Sequence, residues 1–314
     1  MRIISAAEVA AALDFESLIE RLRQAFRRGS GDTQVPLRHH HTIEGLEAED
    51  GALLLMPAWR RGKYIGIKTV TVFPGNAEQG LPAVMGSYML LDARTGSPEA
   101  LIDGPTLTVK RTAAASALAS SYLSRPDCQR LLMVGTGALA PHLIMAHATV
   151  RPISTVLIWG RTEDKAAKLA KRLNRRDFRV DHTTDLEAAV RGADIISCAT
   201  LSAAPLVKGE WLQQGQHLDL VGAFRPDMRE TDDTAVRRAR VFVDTRPGAC
   251  QEGGDIVQPI RTGVLDPEDI AADLFELARG ERAGRRFYHQ ITLFKSVGTA
   301  IEDLAAAELI AERA

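Results

Sequence analysis

Three cations stand in unusual company in the first third of the chain. Lys68 lies inside the apolar run Ile65-Gly66-Ile67-Lys68-Thr69-Val70, Arg111 follows Leu107-Thr108-Val109-Lys110, and Arg38 ends Val35-Pro36-Leu37-Arg38. A lysine in the middle of a strand is costly to bury unless an anion meets it, so the three together outline a pocket for a carboxylate. Arg111 can grip a carboxylate with two parallel N–H donors, whereas Lys68 acts as a point charge and can relay a proton through water. Arg38 is expected as a third, weaker contact. Each cation taken singly also reads as a surface charge on an alternating strand or a helix end.

A second constellation begins at residue 135. Gly135-Thr136-Gly137-Ala138-Leu139-Ala140 follows the apolar run Leu131-Leu132-Met133-Val134 and precedes a helical stretch. In that setting Gly135 permits the tight turn, and Gly137 lets backbone amides, with Thr136 and Ala138 beside it, approach a pyrophosphate at a helix N-terminus. Ala140 allows close helix-to-strand packing. The next strand ends at Trp159-Gly160-Arg161-Thr162, where an NAD enzyme typically carries Asp or Glu for the ribose hydroxyls. No carboxylate stands there, and Arg161, Thr162 and Lys165 can meet a 2'-phosphate, so NADPH is expected as the preferred cofactor, with NADH possible. Thr162 also reads as an ordinary helix N-cap and Arg161 as a solvated charge. Thr200, just after the strand ending at Cys198, is a further cofactor-contact candidate.

These residues need elements to hold them. Residues 1–31 space Phe15, Leu18, Ile19, Leu22 and Phe26 as one amphipathic helix. Short apolar or alternating runs (52–56, 64–73, 84–92) broken by Pro74-Gly75-Asn76 and Arg94-Thr95-Gly96 read as antiparallel strands with turns. A helix over 106–123 ends at Ser124-Arg125-Pro126-Asp127. Beyond it, runs at 130–134, 155–159, 194–198, 217–221 and 241–243 alternate with helical stretches, as in a parallel sheet covered on both faces. A last helix over 296–311 is expected to pack back on the first domain. The fold class is therefore α/β, a Rossmann dinucleotide-binding domain over 125–294 plus an α+β domain from 1–124 and 295–314.

Composition narrows the partners. The 314 residues carry 39 Lys+Arg against 40 Asp+Glu, a formal charge of -1. No basic excess favours nucleic acid or a membrane surface. The 3 cysteines show no CxxC spacing, which fits a reducing compartment, and a cytoplasmic location is expected. Consecutive His39-His40-His41 point to alternate faces of an extended segment and do not converge on a metal. Cys250 has no nucleophile partner at a recognisable spacing and reads as an inert thiol; Arg282, Arg285 and Arg286 read as solvated surface.

The chain also resembles the ornithine cyclodeaminase/mu-crystallin family. The resemblance rests on Val35–Arg38, Met56-Pro57-Ala58, Gly66–Val70, Gly80-Leu81-Pro82-Ala83-Val84, Arg111–Ala119, Gly135–Ala138, Val221-Gly222-Ala223, Arg225–Glu230, Phe294–Ala300 and Glu302-Asp303, in family order. It implies a homodimer whose first domain binds substrate and dimerises. It also implies that Arg38, Lys68 and Arg111 bind the carboxylate of a small amino or imino acid, and that Val297 and Gly298 lie near the nicotinamide. Members that convert ornithine to proline and ammonia carry an Asp after the Gly-Ala pair; here that position is Phe224, with Asp227 three residues later. The likeness is therefore closer to the ketimine and pyrroline-2-carboxylate reductase branch. It implies NAD(P)H-dependent reduction of a cyclic or linear ketimine such as pyrroline-2-carboxylate or piperideine-2-carboxylate. Ornithine cyclodeaminase, alanine dehydrogenase and non-catalytic binding of NADP or a small ligand are the alternatives within the same family.

Overall fold

A computed structural model describes residues 1–45, 50–174 and 177–313. Its contacts divide the chain into two compact units, Met1–Arg111 with Thr299–Ala314, and Thr112–Gly298. Among the described residues no helix is long and apolar enough to cross a membrane.

The first unit opens with β1 (Arg2–Ile4), α1 (Ala6–Ala12) and α2 (Phe15–Arg28), where one continuous helix was expected. Two side-chain caps cause the break. Ser5 and Glu8 form a reciprocal capping box at α1, and Asp14 accepts from the Ser17 amide to start α2 afresh. The expected apolar spacing belongs to α2 alone, whose Leu18, Ile19, Leu22 and Phe26 are buried. There follow β2 (Thr33–Gln34), β3 (His39–Ile43), β4 (Gly51–Arg60), β5 (Tyr64–Val72), β6 (Val84–Asp92), β7 (Pro98–Asp103) and the long helix α3 (Gly104–Leu123). The sheet runs β1-β7-β6-β5-β4-β2, with β3 also on β4. Only β1 and β7 pair in parallel. The histidines of β3 are exposed.

Register fixes what each face carries. Lys68 pairs with Met56 on one side and Tyr88 on the other, and side chains alternate along strands. Lys68, Met56, Ala58, Tyr88 and Leu90 therefore share one face, and all are buried. The opposite face presents Leu55, Pro57, Trp59, Ile65, Ile67 and Met89, all only half-buried.

The second unit contains β8 (Arg130–Val134), α4 (Ala140–Val150), β9 (Thr155–Trp159), α5 (Glu163–Leu173), β10 (Arg179–His182), α6 (Leu186–Gly192), β11 (Ile195–Cys198) and β12 (His217–Leu220). It continues with α7 (Asp233–Arg238), β13 (Ala239–Val243), α8 (Arg246–Glu252), α9 (Gly254–Arg261), β14 (Ala272–Asp273), α10 (Leu274–Arg279) and β15 (Ile291–Lys295). The wholly parallel sheet has the order β10-β9-β8-β11-β12-β15-β13-β14, the doubly wound arrangement expected from strands alternating with helices. Inside it, Asp219 of β12 accepts from Ser197 at 2.7 Å and bonds His147 of α4 at 3.0 Å, tying that helix to the sheet. Arg285, expected as solvated surface, is half-buried and donates to the carbonyls of Leu123 and Gln216 and to Thr292; burial pulls it down to about 10. Cys250 lies on α8, and burial raises its thiol.

The last helix, α11 (Ala300–Arg313), belongs to the first unit and packs on α2, β4 and β5. It starts four residues later than expected. Gly298, at φ 81, turns the chain ahead of it, and Asp244 binds the amides of Val297 and Gly298.

Candidate active site

In the second unit, the crevice lies at the carboxyl ends of β8 and β11, where the winding of the sheet reverses. Gly135 leaves β8 at φ 125, its amide bonds the Trp159 carbonyl at 2.9 Å, and a Cβ there would sit 2.6 Å from the Ala199 carbonyl oxygen. Only glycine fits. A Cβ on Gly137 would meet no described atom within 4 Å, so the backbone is open on that side. Ala138 is exposed, and Thr136 packs against Gly160, where a Cβ would approach its methyl to 2.7 Å. The helix α4 begins at Ala140 with Pro141 in its first turn and no side-chain cap among the described residues. A glycine cradle opening on an uncapped helix N-terminus suits a pyrophosphate.

Arg161, Thr162 and Lys165 are all exposed around the start of α5. Thr162 occupies the N-cap position, yet its side chain makes no capping bond among the described residues. Thr200 is turned inward. Its amide and hydroxyl both donate to one oxygen of Glu230, at 2.7 and 2.8 Å. Val297 and Gly298 are also committed, their amides donating to Asp244 at 2.7 Å each. At the Gly-Ala pair, Ala223 adopts φ 43, Phe224 is exposed, and Asp227 is held by Arg225 at 2.6 Å.

In the first unit, Lys68 and Arg111 come together, and the anion that meets them is the protein's own. Lys68 Nζ lies 2.9 and 2.8 Å from the two oxygens of Asp303. Arg111 reaches Glu302 at 2.6 Å and Asp303 at 2.9 Å. The expectation that burial of Lys68 calls for an external carboxylate is thus corrected in part, because α11 supplies two. Burial and then Arg111 pull Lys68 down to about 8 against the attraction of Asp303. Burial alone would raise Asp303, but Arg111 and Lys68 hold it below the usual carboxylate range. Arg38, half-buried in the segment before β3, adds its positive field to both groups. Lys68, Arg111 and the field of Arg38 thus converge on Asp303, with Glu302 on Arg111.

Glu302, Asp303, Glu230, Asp255 and Lys295 carry much of this electrostatics and were not singled out individually in the sequence. A signal exists for the first two: Glu302 and Asp303 lie between Ile301 and Leu304, so at least one must share the buried stripe of the helix. Among the described residues no group of His, Cys, Asp and Glu is placed to hold a metal.

The chain is similar to known proteins over its whole length. The chain is 42% identical over 96% of its length to SAR DEFICIENT 4 of Arabidopsis thaliana, covering 93% of that protein. It is 40% identical, over 100% of its length and 99% of the relative's, to a Delta(1)-pyrroline-2-carboxylate reductase of Colwellia psychrerythraea. Among solved structures, Thermococcus litoralis Delta(1)-pyrroline-2-carboxylate reductase in complex with NADH and L-proline matches with a TM-score of 0.93 at 34% identity, covering 99% of this chain and 97% of that one. An archaeal alanine dehydrogenase dimer with bound NAD matches with a TM-score of 0.90 at 32% identity, covering 99% and 95%. The model of the ornithine cyclodeaminase/mu-crystallin family matches residues 1–314, and the chain belongs to that family.

Proposed function

We propose that the protein is a nicotinamide-dependent reductase that converts a small imino acid, a ketimine carboxylate such as pyrroline-2-carboxylate or piperideine-2-carboxylate, into the amino acid. The observation that carries this reading is the gathering of Lys68 and Arg111, within the field of Arg38, at one buried place in the first unit. A guanidinium beside an ammonium is the chemistry that recognises a small carboxylate. The whole-length likeness to pyrroline-2-carboxylate reductases supports the same substrate class. Arg111 fixes the carboxylate by direction and Lys68 by charge.

The cofactor supplies a hydride when bound; the chain supplies its seat. Gly135 makes the turn, Gly137 leaves space, and the amides at the start of α4 would hold the pyrophosphate. Arg161, Thr162 and Lys165 form an exposed donor group without a neighbouring strand-end carboxylate, which supports a preference for NADPH over NADH. A lyase acting on ornithine needs a carboxylate beside the substrate amine. Phe224 supplies none, and Asp227 is paired with Arg225.

We further propose a homodimer built on the half-buried face of the first unit's sheet. Apolar residues on that face require cover, and the alanine dehydrogenase relative is a dimer.

The decisive experiment follows cofactor absorbance with purified protein, NADPH or NADH, and either cyclic imine, beside ammonia release from ornithine. Oxidation of the cofactor with formation of proline or pipecolate is expected. Ammonia release without net cofactor change would overturn the reading in favour of a lyase.

A further inference from the structure

The second unit's sheet has a basic end. Its strands β13 and β15 start side by side, Ala239 paired with Ile291, and in a wholly parallel sheet these starts lie at the end opposite the cofactor turn. A cavity of about 510 Å³ opens there, with Arg238, Arg240, His289, Gln214 and Gln290 in its lining. That volume suits a small organic ligand.

Its arginines meet neutral partners. Arg238 donates to the Gly209 carbonyl, and Arg240 to the Gly284 carbonyl at 2.7 Å. Among the described residues neither forms an ion pair, and nearby Arg282 reaches Glu276 only at 3.7 Å. Helix polarity accounts for Arg237 and Arg238 in the last turn of α7. It does not account for Arg240, which belongs to β13. Arg240 and Phe242 project from the same face of that strand, and the guanidinium lies 5.1 Å from the centre of the buried Phe242 ring. Stacking and the Gly284 bond thus hold a half-buried fork in place. Burial, then Arg286 and Arg282, pull Arg240 below its ordinary value. The neighbours that act on it are themselves cations, a setting that an anion relieves.

We propose that this cavity is a second anion site, which takes a small molecule carrying a phosphate or diphosphate group at the end of the sheet away from the cofactor turn. Neither the substrate nor the cofactor reading requires it. Two guanidinium forks without carboxylate partners suit a dianion, and phosphate oxygens accept from such a fork in pairs. Gln290 takes the amides of Arg286 and Phe287 on its side-chain oxygen, at 2.8 and 3.2 Å, so its NH2 group is the end left to donate. The organic part of the ligand has a place as well. Phe287 is 59% exposed and stacks on His289, with ring centroids 5.8 Å apart and 12° between the planes. That pair forms a flat edge beside the phosphate donors.

The test is titration calorimetry with inorganic pyrophosphate at constant ionic strength, on the full chain carrying Gly137→Ala so that the cofactor turn does not take the probe. Saturable binding with a Kd of about 1 mM or tighter is expected. Adding Arg240→Ala should weaken it at least about tenfold. If Arg240→Ala does not fold, Arg286→Ala changes an exposed side chain and should still weaken binding, because its positive field is lost. Absence of saturable binding, or an affinity that neither arginine substitution moves, would overturn the proposal. Citrate bound as tightly as pyrophosphate would also overturn it, by making the cavity a site for carboxylates.

Discussion

The Lys68 ammonium and the Asp303 carboxylate, separated by 235 positions in the chain, lie 2.9 Å apart in full burial. Asp303 also takes Arg111 at 2.9 Å. The C-terminal helix therefore does more than cover a sheet. It supplies the two carboxylates, Asp303 and Glu302, that pair with Lys68 and Arg111 inside the first unit.

Removing one partner of this pair should destabilise the fold. Asp303→Asn leaves Lys68 and Arg111 with a single carboxylate between them, and breaking a buried ion pair typically costs about 3–5 kcal/mol. Urea unfolding of Asp303→Asn, Lys68→Met and the double variant would check it. Each single change should lose that much, and the double should lose less than the sum. Additive losses would mean that the two side chains do not act as a pair.

Carboxylate binding should carry a pH limb from Lys68. The group is charged below about 8 and neutral above it, so affinity for L-proline should fall as pH rises through that value. A lysine depressed in the folded state adds to stability as pH climbs from about 8 toward its ordinary value near ~10.4, because the unfolded chain then holds more protons. Lost binding in that window is therefore not unfolding. Lys68→Arg should abolish the limb while keeping some affinity. A limb unchanged in Lys68→Arg would assign it elsewhere.

The two glycines of the cofactor turn should fail in different ways. Gly135→Ala forces a side chain into φ 125 and against the Ala199 carbonyl, a conformation costing about 1–3 kcal/mol before the clash is counted. Its melting temperature should fall. Gly137→Ala meets no described atom and should fold normally, yet occupy space the pyrophosphate needs, weakening cofactor binding by at least about tenfold, or ~1.4 kcal/mol. Normal affinity in a well-folded Gly137→Ala would remove that glycine from the site.

That contrast also marks what could be read from the sequence. The apolar run before Gly135 and the helix after it are local features, so the cofactor turn was visible as strand, glycine and helix. The parallel strands β8, β9, β11, β12 and β13 were likewise visible as short apolar runs. The strand β15 was not, because sheet order is a property of three-dimensional winding: Ile291–Lys295 inserts between β12 and β13, and nothing in five residues records that. The split of the N-terminal segment was hidden by a shared apolar spacing and decided by Ser5 and Asp14, single capping side chains. Lys68 was legible because charge inside an apolar strand is conspicuous. Glu302 and Asp303 were visible only as part of the family resemblance, and their pairing with Lys68 and Arg111 was not, because Glu and Asp on a helix are ordinary until the buried face is known.

Arg161 offers a test of cofactor choice. A charge-assisted bond to a 2'-phosphate is worth about 1.5–3 kcal/mol, so Arg161→Ala should weaken NADPH by roughly ten- to a hundredfold and leave NADH nearly unchanged. Fluorescence titration with both cofactors reads this directly. Equal effects on the two would make Arg161 a surface charge and cancel the preference.

The open face of the first sheet predicts the assembly. Ile67 stands at its centre, paired with Pro57 and Met89 on the neighbouring strands, and all three are only half-buried. The buried core of Lys68, Tyr88 and Met56 lies on the other side of the same strands, so Ile67→Glu changes the half-buried face without touching it. If a second copy covers this face, the wild type should sediment as a dimer and Ile67→Glu as a monomer, since a carboxylate buried at the middle of an apolar interface has no partner. The variant should still bind nicotinamide cofactor, because the proposed seat residues at Gly135–Ala140 belong to the second unit. A wild-type monomer in sedimentation, or a dimer undisturbed by Ile67→Glu, would place the subunit contact elsewhere and leave the apolar face to be explained by another partner.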